Sequence, residues 1–281
     1  MKVATEETTQ EAKEVLGNVS LCSNLMRTPQ VFDQYGPSIA GVARDLVIWA
    51  AWNGSKHVRL NVKQFAEMFG YTRAFLFKRV TEFQEAELRR SKFGPEFKDT
   101  IGYALAKLQV QNLVFPNAAL YVASDENGKT TNYKTLTIIR NLTTKTGRTG
   151  TNYEFEISAA FLGNCRKRYQ SFSLDTYLQV RDFKARAYSS GRKMYLHLCW
   201  KRKVWDASKK QKGVKPSESK FDELLDVAGF TRKDERRAAH EVRQLLEDLA
   251  HLPGVRMSGE VTKDFQTEQY GVTMKRHTPT T

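Results

Sequence analysis

The chain has 281 residues and a mass of 32.2 kDa, and 40% of its residues are hydrophobic, enough for a sizeable core and most naturally two domains. Forty-five lysines and arginines against 31 acids leave a formal net charge of +14 and a pI of about 9.6, which favours nucleic acid or another anionic surface as partner. No apolar run approaches the ~20 residues of a membrane span, the opening MKVATEETTQEAKEV lacks the apolar stretch of a signal peptide, and three scattered cysteines, Cys22, Cys165 and Cys199, suit a reducing compartment. The expectation is a cytoplasmic protein with no membrane contact.

Residues 1–35 are polar and weakly periodic, with Pro29 as a breaker, and read as a flexible N-terminal arm. From Ser38 the pattern changes: Ile39, Val42, Leu46, Val47, Trp49, Ala50 and Trp52 give an amphipathic helix ending near Asn53-Gly54. His57 to Asn61 alternates as a short strand. Val62 to Phe83 then reads as two helices joined by a turn, because Ala66 and Gly70 supply the small residue and permissive backbone that a close helix crossing needs. Phe65, Phe69, Phe75, Leu76 and Val80 form its core, while Thr72, Arg73, Lys78 and Arg79 point outward as candidate DNA contacts. A purely architectural role is the alternative for this unit.

Lys98 to Val114 predicts another helix, followed by three strand-like runs, Ala118–Ser124, Tyr133–Leu142 and Thr151–Ser158, with turn signals at Glu126–Gly128 and Thr146–Gly150. A helix-turn-helix followed by a hairpin is a winged helix, so residues 36–160 read as one such domain with an extended wing that serves DNA-backbone contact and dimerisation. Residues 161–281 repeat the plan. Phe172–Tyr177 leads into a helix over Phe183–Trp200, and a basic loop over Lys201–Lys215 leads to Glu218–Leu252.

In that last stretch a short helix (Phe221–Val227) and a turn at Gly229 precede a long helix that Thr231 can cap. Ala238, Ala239, Val242, Leu245, Leu246 and Leu249 make one apolar face, while Arg232, Lys233, Arg236, Arg237, His240 and Arg243 lie at its start and on the other face. Cations at a helix N-terminus oppose its dipole, and an external polyanion offsets that cost. The helix is therefore a candidate major-groove reader, with a solvated charged face as the alternative. Two short strands after Pro253-Gly254 suit a small wing.

Catalytic chemistry has little to stand on. Gly128-Lys129-Thr130 resembles the end of a phosphate loop, but Ala123 stands where a glycine is required. His197 and Cys199 are two residues apart on a predicted helix and face different ways, and no C-x-x-C is present, so no metal or other cofactor is expected. His240-Glu-Val-Arg243 with Tyr270 has part of the phosphate-holding set of a strand-transfer enzyme, but a second arginine is wanting.

Most of the positive excess lies between Phe161 and Lys215, whereas the segment from Pro216 onward is slightly acidic. Arg166, Lys167, Arg168, Arg192, Lys193, Lys201, Arg202, Lys203, Lys209 and Lys210 read as an electrostatic footprint for phosphates, giving salt-sensitive affinity that is largely independent of sequence. Trp200 and Trp205 flank it, as stacking platforms for single-stranded DNA or as structural anchors.

The two helix-turn-helix segments, Val62–Phe83 and Phe221–Leu252, resemble the replication initiator (Rep) family of theta-replicating, iteron-containing plasmids, and the chain from Tyr169 onward is most similar to its TrfA-type members. The resemblance implies an α+β fold of two tandem winged-helix domains that binds repeated double-stranded sites at a plasmid or phage origin. It further implies origin opening, recruitment of host replication proteins such as the initiator and helicase, and a homodimer among its states. A transcriptional repressor on the same fold and a DNA nicking or strand-transfer enzyme are the alternatives.

Overall fold

A computed structural model of the chain describes residues 16–77, 99–115, 121–124, 130–133, 135–147, 150–167, 169–180, 188–208, 219–230, 235–250, 252, 255, 257–264, 266 and 269–276. It is a mixed α+β structure with several small antiparallel sheets. Its buried side chains form one cluster that runs from Val19 to Met274, so the core continues across the expected boundary near residue 160.

The first surprise is the stretch expected to be a flexible arm. From residue 16 it is built into the core. Strand β1 (Asn18–Cys22) pairs antiparallel with β9 (Tyr169–Ser173), Ser20 opposite Ser171. Helix α1 (Ser23–Arg27) buries Leu25 and Met26, and a 3-10 helix over Pro29–Tyr35 buries Val31, Phe32 and Tyr35. Apolar residues at every second or third position are too few here to stand out from the polar flanks, yet each finds cover.

Helix α2 (Ala40–Asn53) follows and ends on Gly54 in the left-handed conformation. It is buried on all sides from Val42 to Ala50, including Arg44 and Asp45, so it is a central helix where the pattern suggested an amphipathic one.

Beyond α2 the chain makes the same unit twice. In the first, β2 (His57–Asn61) leads into α3 (Val62–Phe69), a turn at Gly70, and α4 (Arg73–Leu76). In the second, β10 (Ser219–Lys220) leads into α9 (Phe221–Ala228), a turn at Gly229, and α10 (Glu235–Ala250). Both glycines have positive φ, 76° and 74°. The next residue folds back in both cases: Tyr71 N–H donates to the Ala66 carbonyl at 2.8 Å, and Phe230 N–H to the Leu225 carbonyl at 3.1 Å. This is the helix stop that a left-handed glycine permits, and a side chain there would be strained.

A hairpin follows each unit. β7 (Ile139–Gly147) and β8 (Gly150–Ile157) form one, β11 (Met257–Lys263) and β12 (Tyr270–Arg276) the other. The strand that precedes the helix pair joins the second hairpin strand in both, giving the orders β2-β8-β7 and β10-β12-β11. In the first sheet Val58 opposes Phe155 and Leu60 opposes Tyr153 on the buried face, while Arg59 opposes Glu154 on the outer face. A bulge interrupts β7 between Arg140 and Thr143, where Asn141 takes φ 51°.

The expected helix over Lys98–Val114 is α5 (Thr100–Val110), followed by a two-residue strand β3 (Leu113–Val114) that pairs with β6 (Thr135–Leu136). Asp99 caps α5: its Oδ1 accepts from Gly102 N–H at 2.8 Å and its Oδ2 from the Tyr153 hydroxyl at 2.8 Å. Burial pushes the Asp99 carboxyl above its usual range. β4 (Tyr121–Ser124) and β5 (Thr130–Tyr133) form a separate ribbon; the turn signal at Glu126–Gly128 between them lies outside the described residues. Helix α6 (Ala159–Lys167) precedes β9, and α7 (Leu174–Gln179) follows it. The predicted helix of the second half is α8, and it runs over Tyr188–Ser208, eight residues past its expected end at Trp200.

Among the described residues no helix is long and apolar enough to cross a membrane.

Candidate nucleic-acid interface

Helix α10 divides its residues by face as the sequence predicts. Ala238, Ala239, Val242, Leu245, Leu246 and Leu249 are buried against α9 and β11. Arg236, Arg237, His240 and Arg243 are exposed along the opposite side. The four do not have equal freedom. Arg237 Nε pairs with Glu241 at 3.1 Å, one helical turn on. Arg243 Nη2 donates to the Val261 carbonyl at 3.0 Å and so ties α10 to β11. Among the described residues Arg236 and His240 carry no ion pair. Thr231, Arg232 and Lys233 lie outside the described residues.

In the first unit, an aromatic run forms the core between the two helices. Phe65 stacks on Phe69 at 4.6 Å, Tyr71 lies 6.0 Å from Phe65, and Phe75 lies 5.0 Å from Tyr71. Asn61 caps α3 by accepting from Gln64 N–H at 3.1 Å, and Thr72 caps α4 by accepting from Phe75 N–H at 3.2 Å. Thr72 and Arg73 are exposed, with the Thr72 hydroxyl already accepting the cap bond. Lys78 and Arg79 lie outside the described residues, next to Phe77, which is 60% exposed.

The basic block is where sequence and structure part. Arg192 is fully buried and paired with Asp45. Lys193 is buried and donates to Asp33 at 2.7 Å, and Lys201 is buried and pairs with Glu223 at 3.0 Å. None of the three presents its charge to a phosphate, which corrects their assignment to the footprint. Arg202 is half-buried and lies 3.9 Å from Asp206. Lys203 is exposed, donates to the Tyr169 carbonyl at 3.0 Å and lies over the Tyr169 ring. Arg166 is exposed beside the Gly54 carbonyl. Lys167 closes α6, while Arg168, Lys209 and Lys210 lie outside the described residues.

The acids that pair with Arg192 and Lys193, Asp45 and Asp33, come from distant parts of the chain. Sequence inspection missed the group they form. The Asp45 carboxylate accepts from Arg192, from the Tyr177 hydroxyl and from the Tyr71 hydroxyl at 2.6 Å. Arg44 Nε donates to the Tyr177 oxygen at 2.9 Å, and the Arg192 guanidinium lies 4.8 Å from the centre of the Tyr177 ring. Burial holds the Tyr177 phenol well above its usual range. The available signal was the pair Arg44-Asp45 inside an otherwise apolar helix, since charges there must be matched.

His197, weighed as a metal ligand with Cys199, is fully buried, and its Nδ1 lies 2.9 Å from the Arg27 carbonyl. Burial pushes its pKa down to about 4, against the opposing pull of that carbonyl and Glu223. The ring is therefore neutral near pH 7, and its 3.8 Å approach to Glu223 is a contact without an ion pair. Trp200 and Trp205 are half-buried against the core, and the Arg27 guanidinium lies over the Trp200 ring at 5.4 Å. Tyr270, the imagined nucleophile, is half-buried with its ring 5.3 Å from Phe221. Of the phosphate-loop resemblance, Gly128 and Lys129 lie outside the described residues and Thr130 opens β5.

A scan of the chain against protein-family models finds no match, and a search of curated proteins finds none either.

Proposed function

We propose that the protein is a sequence-specific double-stranded DNA-binding replication initiator built from two tandem winged helices, acting at repeated sites of a plasmid or phage origin. The observation that carries the DNA-binding part of this reading is α10. It has one face buried in the core and an opposite face bearing Arg236, Arg237, His240 and Arg243, in a helix–glycine–helix unit with a hairpin behind it. A helix so mounted presents its N-terminal cations to a major groove, where arginine reads guanine and other cations position the backbone.

Two further features support it. The unit occurs twice with the same glycine stop and the same strand order, as tandem winged helices require. The net charge of +14 supplies long-range attraction for a polyanion. The initiator role itself, with origin opening and recruitment of host replication proteins, rests on the resemblance of the helix-turn-helix segments to plasmid initiators. In this reading the protein has no catalytic step of its own.

The test is binding of the purified protein to the DNA flanking its gene against random duplex, over a salt series. A preference of at least ~10³, with several discrete complexes on repeated sites, supports an iteron-binding initiator. A single complex on one operator points to a repressor. Uniform, salt-fragile binding to all duplexes overturns sequence-specific reading by α10. Covalent capture of DNA that Tyr270→Phe abolishes would replace the non-catalytic role with strand transfer.

A further inference from the structure

Three residues within one turn of α8 reach both glycine turns. The Ser190 hydroxyl donates to the Ala228 carbonyl at 2.6 Å, one residue before Gly229. Arg192 Nη2 donates to the Phe69 carbonyl at 3.2 Å, one residue before Gly70. The same guanidinium pairs with Asp45, which also accepts from Tyr71, one residue after Gly70. Lys193 Nζ, held by Asp33, stands where a side chain at position 229 would begin: a Cβ on Gly229 would lie 2.9 Å from it.

These contacts are suited to rigidity. Ser190, Arg192 and Lys193 are all buried, so releasing either cation leaves a charge in a low-dielectric interior without its acid, which is costly. The helix between them is continuous from Tyr188 to Ser208. Movement of one turn relative to the other therefore requires the Ser190–Ala228 bond to break, or the Phe69 carbonyl and the Tyr71 hydroxyl to leave the buried Arg192–Asp45 pair.

We infer that Arg192 and Lys193 are positioning residues that hold the two helix-turn-helix units at one separation and angle, so that the DNA target must carry its two contact patches at one invariant spacing. The consequence for DNA rests on the DNA-binding reading above, whereas the locking does not. Two modules on a flexible tether would tolerate inserted base pairs, because effective concentration falls slowly with span. A locked pair tolerates none, because about 5 inserted base pairs turn the second patch to the far side of the duplex.

Two measurements decide it. In the first, without DNA, nitroxide labels are placed through Gln64→Cys and Glu247→Cys, both exposed positions on α3 and α10. Cys22 and Cys165 are buried, and the half-buried Cys199 is replaced by serine in the labelled background. The expected result is one narrow distance distribution that broadens in Lys193→Met and in Gly229→Ala, the latter wedging Nζ from its place. Arg192→Met is the stronger variant, and the two milder ones serve where it does not fold. A broad distribution in the parent protein, or one that stays narrow in both milder variants, overturns the locking.

In the second, a duplex selected from random DNA by the full chain is lengthened by 5 base pairs between its two protected patches. The parent protein is expected to lose about 100-fold in affinity, and Lys193→Met markedly less. Equal losses overturn the positioning role. If selection yields no preferred duplex, the DNA-binding reading and the spacing claim both fall, while the distance measurement still decides whether the two turns are held together.

Discussion

Asp45 and Arg192, 147 positions apart in the chain, form an ion pair in which neither side chain exposes any surface. Their other partners include Tyr71 and the Phe69 carbonyl at the first glycine turn, Tyr177 on α7, and Arg44 beside Asp45 on α2. The pair thus joins the first helix–glycine–helix unit to the long helix that carries the second.

Removing Arg192 leaves the buried Asp45 carboxylate with Arg44, at 3.3 Å, as its remaining cation. Arg192→Met is expected to lower unfolding stability by about 1.5–3 kcal/mol through loss of its charged hydrogen bonds to Asp45 and the Phe69 carbonyl, measured by urea denaturation. The double variant Asp45→Leu with Arg192→Met should recover none of that loss, since it leaves Arg44 buried without the carboxylate 3.3 Å from it. A loss under about 1 kcal/mol in the single variant would show the pair to behave as a surface bridge does.

The buried and exposed cations should separate in a salt series. Lys193→Met and Lys201→Met are expected to leave the dependence of DNA affinity on salt unchanged, because Asp33 and Glu223 already neutralise those charges. Arg236→Ala and Arg166→Ala should each reduce the log–log slope by about 0.9 if they neutralise a phosphate. A reduced slope in the buried pair would return them to the interface.

Arg236 separates base reading from phosphate contact. Replacing it with alanine is expected to cost about 1–3 kcal/mol on a preferred site and much less on random duplex, if it reads a base edge. Arg237→Ala serves as the comparison, because its guanidinium is engaged by Glu241. Equal weakening of Arg236→Ala on both DNAs assigns it to the backbone.

His197 sets a pH dependence. An unfolded histidine titrates near 6.5, and the folded ring is pushed down to about 4 by burial. The unfolded chain therefore binds this proton more readily between those values. Above about 6.5 the contribution is complete, and as pH falls toward 4 stability declines, by on the order of 3 kcal/mol. His197→Gln removes that titration. Urea midpoints at pH 7.5 and 4.5 should converge more in the variant than in the parent; parallel changes would show that the ring accepts its proton in the folded state.

How much was legible depended on how local the signal was. His57–Asn61 could be read as a strand because its alternation is complete within five residues, and Gly70 and Gly229 as turns because each follows an amphipathic eight-residue helix. The apolar face of α10 was legible for the same reason. Strand β1 was not, since Asn18–Cys22 acquires its meaning only from Tyr169–Ser173. Nor were the fates of Arg192, Lys193 and Lys201. In a sequence a lysine looks alike whether its acid is a water shell or an aspartate 160 positions earlier, and the footprint was overdrawn as a result.

The pairing of β1 with β9 bears on how the chain is made. Ser20 meets Ser171 across 151 positions, so during synthesis the first strand waits for more than half of the protein to emerge before it has a hydrogen-bonding partner. Non-local strand closure of this kind is slow and leaves an unpaired edge open to other chains. The nascent protein thus passes through a stage in which β1, with Val19 and Leu21 both buried at the end, can pack on α2 but lacks the strand that completes its cover.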